Sequence, residues 1–145
     1  MIHQLLILIT AITMISNPTR STANVKINDG QEHKVVMQVS NVDPAAQLKV
    51  IGQIKNILEA LPNTEIEVVC HSEGLPMLVA AQSKVASHVK ELSGQGVIFA
   101  ACENTLRRNK LDKDDLLPEA ITVPSGLAEV ILKQEAGWSY IKAGL

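Results

Sequence analysis

Aromatic side chains make up only 2% of this 145-residue chain: one Trp, one Tyr and one Phe. So few rings argue against modules that stack nucleic-acid bases. They also leave Val, Ile, Leu and Ala to build the core. The formal net charge is −2, and no basic stripe gathers along the chain. That excludes electrostatic capture of nucleic acid or of an anionic lipid surface. There are only two cysteines, Cys70 and Cys102. No CxxC pair and no His/Cys cluster has zinc spacing, so no metal site is expected. Phosphate-binding GxGxxG and GxxxxGK[ST] loops are missing, as is a GxSxG elbow, and no cofactor is implied.

Long apolar runs are missing too, with one exception. Leu5 to Ile15 (LLILITAITMI) is uncharged and too short to span a bilayer comfortably. Asn17 and Pro18 break it, and Ser21 and Ala23 place small residues at the −3 and −1 positions of a cleavage site. The expectation is an export signal over residues 1–23, a polar linker over 24–33 and one domain over 34–145. Export places the domain in an oxidising, periplasmic compartment. No second run is fit for an integral membrane domain.

After the linker, apolar runs alternate with helical patterns. KVVMQVS (34–40) reads as a strand. Asp43 suits a helix N-cap and Pro44 the first helical position. Leu48, Ile51, Ile54 and Leu58 then recur at helical spacing as one apolar face. EIEVVC (65–70) is a second strand, and residues 76–92 read as a second helix stopped by Gly94 and Gly96. GVIFAAC (96–102), apolar on both faces, reads as a strand inside a covered sheet. A short helix follows over 103–109, then a turn or short helix over 111–118 and a fourth strand over 120–124. Ser125 caps a helix that Gly137 stops, and WSYIKA (138–143) is a terminal strand at a sheet edge. Alternation of this kind implies β-α-β units, a mostly parallel five-stranded sheet and an α/β fold.

Open α/β sheets bind ligands beyond the carboxyl ends of their strands. Asn41 and Asp43, Cys70 to Glu73, Cys102 to Asn104, and Pro124 with Ser125 all fall there. Cys102 stands where a strand passes into a helix. Unpaired N–H groups at that point favour thiolate over thiol. Glu103 opposes this if its carboxylate points at the sulfur. Against the chemical reading stands simple packing, since free cysteine is among the most buried residue types. Cys70 reads as a core residue and His71 as a loop residue.

The segments KVVMQVSN, EVVCHSEG, FAACENTLRRN, ITVPSGLAEVILKQEAG and GWSYIK, taken in this order and spacing, resemble the DsrE/DsrF-like family. The resemblance implies a flavodoxin-like three-layer α/β/α sandwich and a homo-oligomer, commonly a trimer or hexamer. It implies that Cys102 holds sulfur as a persulfide, with Arg107 and Arg108 matching a following Arg pair. A sulfur donor or acceptor protein is then the partner. His71, Asn104, Arg107 and Arg108 are expected to line an anion-binding pocket. The implied strand order, 2-1-3-4-5, separates the second and third strands by roughly 9–10 Å. That exceeds the ~7 Å reach of a disulfide, so no Cys70–Cys102 bond is expected within a chain, although one between subunits stays open. The alternative is a small-ligand-binding or structural module in which Cys102 is inert.

Overall fold

A computed structural model describes residues 30–41 and 43–144. The expected export signal and the linker up to residue 29 lie outside the described residues. The elements are β1 (His33–Asn41), α1 (Pro44–Ala60), β2 (Thr64–Glu73), α2 (Ala86–Ser93), β3 (Ile98–Cys102), α3 (Glu103–Arg108), β4 (Ala120–Val123), α4 (Gly126–Glu135) and β5 (Ser139–Lys142). All five strands pair in parallel in one sheet. The fold is an α/β three-layer sandwich of flavodoxin-like class.

The strand order is β4-β3-β2-β1-β5, which corrects the expected 2-1-3-4-5 order. Each of the first three connections steps to the next strand in one direction. Right-handed crossovers that all step one way put their helices on one face. The last connection returns across the whole sheet from β4 to β5, so α4 falls on the opposite face. The two cores follow this division. Val35, Met37, Val39, Ile66, Val68, Cys70, Phe99 and Ala101 pack with residues of α1, α2 and α3. Val36, Val69, Ala100 and Val123 pack with Val130 and Trp138 beneath α4.

Local signals explain most element ends. Asp43 Oδ1 accepts from the Ala46 N–H at 2.7 Å, and Pro44 opens α1. Ser125 Oγ accepts from the Ala128 N–H at 3.4 Å, and Gly137 closes α4 with φ +87°. In α1 the buried face is Ala46, Gln47, Val50, Ile51 and Ile54, while Leu48 is 54% exposed. Leu48 lies about 100° around the helix from Gln47, at the margin of that face.

The helix expected over 76–92 is shorter. Leu75–Leu78 forms a 3-10 turn, and α2 begins only at Ala86. The intervening backbone finds other partners. Val79 bridges Leu116, Ala80 N–H donates to the Asp115 carbonyl at 2.8 Å, and Lys84 N–H donates to buried Gln47 Oε1 at 2.8 Å. These contacts satisfy the polar groups that a continuous helix would have paired internally. Among the described residues, no helix is long and apolar enough to cross a membrane.

Candidate functional site

Register decides what meets at the strand ends. Val69 of β2 pairs with Ala100 of β3, and Cys70 with Ala101. β2 runs on to Glu73, so the loop expected after Cys70 is strand instead. Side chains alternate along a strand. Cys70 and Ala101 therefore face α1 and α2, whereas His71 and Cys102 face α4.

Gly126, the first residue of α4, seats the helix on this pair. A Cβ there would lie 3.0 Å from His71 Cβ, 3.3 Å from Cys102 Cβ and 3.3 Å from Val69 Cγ1. Only a residue without a side chain lets α4 approach so closely. Cys102 and His71 are consequently both buried.

The cysteines differ sharply. Burial pushes the Cys70 thiol far above its ordinary value, with no compensating donor. Burial also acts to raise Cys102, but its thiol falls below the ordinary 9.0. The Thr105 hydroxyl and the backbone N–H groups of Gly126, Thr105 and Asn104 favour its thiolate. The neutral thiol, a weak acceptor, closes no aligned N-cap hydrogen bond. Thr105 is itself buried, and its Oγ1 accepts from the Ser72 N–H at 3.0 Å. With that acceptor site filled, its own proton is free to point at the sulfur.

Glu103 does not oppose the thiolate. Its Oε1 accepts from Thr122 Oγ1 at 2.8 Å and pairs with Lys113 Nζ at 3.1 Å. These hydrogen bonds, with Lys113 and Arg107 nearby, hold its carboxyl below the ordinary range. Thr122 is in register with Ala101, on the face away from the Cys102 sulfur.

His71 is held below its ordinary 6.5 by burial and by the charge of Arg108. Its Nε2 lies 2.8 Å from Gln38 Nε2, and its Nδ1 lies 3.0 Å from Ser72 Oγ. Gln38 Oε1 in turn accepts from the Tyr140 hydroxyl. Ser72 adopts φ +50°, a left-handed conformation that turns its N–H toward Thr105.

The structure thus groups Cys102, His71, the backbone of Asn104 and the charge of Arg108. Arg107 is engaged elsewhere. It donates to Asn104 Oδ1 and lies 3.8 Å from Glu103 Oε2. It lines a cavity of about 190 Å³ with Glu103, Leu106, Leu111, Asp112 and Lys113. Sequence reasoning placed Ser72 at the strand ends with Cys70 to Glu73, but it did not single out Thr105, Gly126, Gln38 or Tyr140. Thr105, three residues after Cys102, and Gly126, at a strand-to-helix junction, carried a local signal. Gln38 and Tyr140 carried none. Among the described residues, no group of three or more His, Cys, Asp or Glu side chains is placed to hold a metal ion.

These features define a small parallel α/β protein with a single donor-cradled cysteine at its strand ends. The chain belongs to the DsrE/DsrF-like family, whose model matches residues 23–143. It is 38% identical to MTH1491 of Methanobacterium thermoautotrophicum, described as a protein of unknown function. That solved structure matches with a TM-score of 0.73, over 77% of this chain and 99% of the other. No curated protein gives a significant match.

Proposed function

We propose that this DsrE-like protein carries sulfur, with Cys102 as the persulfide-forming thiol. The observation that supports the reading most is the set of donors that favours its thiolate: Thr105 and the backbone N–H groups of Gly126, Thr105 and Asn104. The Cys102 thiolate attacks the outer sulfur of a donor persulfide, R–S–SH. A new S–S bond forms at Sγ and the donor S–S bond breaks. R–S departs with the bonding electron pair and takes up the proton from the transferred sulfur. Delivery to an acceptor thiolate reverses these steps, so no outside oxidant or reductant is needed. Arg108, beside His71, adds positive charge for an anionic sulfur species.

The donor and acceptor are proteins bearing persulfide or thiol groups. The chain works as a homo-oligomer, a trimer or hexamer. That reading is supported by apolar residues left open around α4: Leu127, Ile131 and Leu132 are 54–58% exposed, and Ile121 of β4 lies on the same sheet face. Its place is the periplasm, supported by the apolar run and the small residues at 21–23.

The test is Cys102 alkylation against pH, read by mass spectrometry of the Cys102 peptide, followed by loading from a persulfide donor. A midpoint below that of free cysteine, and a Cys102 peptide heavier by one sulfur, support the proposal. Labelling only after unfolding would make Cys102 inert packing and end it.

A further inference from the structure

Gln38 lies on β1, between β2 and β5, and shares the α4-facing side of the sheet with His71 and Tyr140. Its two amide ends have different work. Oε1 accepts from the Tyr140 hydroxyl, which leaves Nε2 directed at His71 Nε2, 2.8 Å away. An amide nitrogen only donates. His71 Nε2 must therefore present its lone pair, and the proton of the neutral ring sits on Nδ1, where Ser72 Oγ accepts it at 3.0 Å. An imidazolium would set an N–H against the amide N–H of Gln38.

The contacts continue to the sulfur. Ser72 N–H donates to Thr105 Oγ1 at 3.0 Å, and Thr105 supports the Cys102 thiolate. The charged and titratable groups around His71 are few. Arg108 approaches from α3 and Cys102 from β3, and Tyr140 acts from β5 through Gln38. Glu67, four residues earlier on β2, is paired with Lys133 of α4 at 2.6 Å. Gly126, where α4 meets the His71 Cβ, brings no charge.

We infer that Gln38, oriented by Tyr140, is a positioning residue that keeps His71 as the neutral Nδ1–H tautomer beside Cys102. The thiolate then has no imidazolium partner, and its stability is set by Thr105 and the backbone N–H groups. The inference rests on Cys102 being the reacting thiol.

The test is long-range ¹H–¹⁵N NMR of the imidazoles in the full chain, with His71 assigned by its loss in His71→Gln. The expected wild-type pattern is a single Nδ1–H tautomer. Tyr140→Phe, at an exposed position, frees the amide and gives a mixture of tautomers. Gln38→Glu places an acceptor against Nε2, so His71 titrates at higher pH. Cys102 alkylation then gains a lower midpoint, with a rate about tenfold higher on its acid side. An Nε2–H pattern in the wild type overturns the inference. So does a His71 spectrum unchanged in both variants. If Gln38→Glu does not fold, the wild-type and Tyr140→Phe spectra decide. A wild-type Cys102 that resists alkylation would sink sulfur transfer while the tautomer spectrum still judged Gln38.

Discussion

Cys70 and Cys102 stand on adjacent strands and face opposite sides of the sheet. Cys70 is in register with Ala101, so Cys102, one residue further, points to the α4 side. Both thiols are free. The expected lack of an intrachain disulfide therefore holds for a different reason than distance between separated strands. The sheet lies between the two sulfurs. Oxidation with a mild disulfide reagent is expected to give no intrachain crosslink, and native alkylation to label Cys102 alone. Peptide mapping under non-reducing conditions checks both, and a Cys70–Cys102 peptide would contradict the register.

Thr105→Val keeps the shape of the side chain and removes its hydroxyl. A hydrogen bond to a charged group contributes about 1.5 kcal/mol, so Cys102 alkylation below its midpoint should slow about tenfold. The midpoint should move up toward the ordinary 9.0. Ser72 N–H also loses its acceptor, which should cost about 1–2 kcal/mol in urea unfolding. An unchanged pH–rate profile would remove Thr105 from the thiolate's support.

Two glycines hold close approaches. In Gly126→Ala the new methyl would meet His71, Cys102 and Val69 at 3.0–3.3 Å, lifting α4 off the sheet. A loss of about 1–3 kcal/mol is expected, with slower Cys102 alkylation as the Gly126 N–H retreats. In Gly74→Ala the Cβ would sit 2.1 Å from the Val39 carbonyl oxygen, against backbone that cannot yield. Its penalty should be larger, about 3 kcal/mol or more. Thermal melts that rank the two variants in the reverse order would contradict these contacts.

Stability against pH should carry two opposed signatures. Burial raises Glu67 above its ordinary 4.5 despite the Lys133 ion pair and hydrogen bond, and Glu67 Oε1 has no hydrogen-bond partner. Between 4.5 and its raised value the folded chain holds more protons than the unfolded one, so stability falls as pH rises. His71 lies below 6.5, so the unfolded chain holds more protons there, and stability is lost as pH falls from 6.5 toward the folded value. Glu67→Gln should remove the first slope and His71→Gln the second. Urea titrations at a series of pH values check this, and matching changes of slope in both variants would refute it.

What the residues alone determined was local. Apolar runs bounded by caps specified which segments became strands and helices. Asp43 and Ser125 capped as their side chains allow, and Gly137 supplied the positive φ that stops α4. The strand-end position of Cys102 followed from the same local grammar. Strand order did not, because several orders satisfy the same alternation. Its handed crossovers decided which helices share a face. Leu75 to Val85 departs from the helix expected over 76–92 because its amides pair with Gln47 and Asp115, far away in sequence. The chain from Tyr140 through Gln38, His71, Ser72 and Thr105 to Cys102 likewise joins residues 33 and 102 positions apart at its Gln38 links. Such contacts exist only once β5, β1, β2 and β3 lie side by side. Tertiary structure alone made the environment in which one of two cysteines is supported as a thiolate.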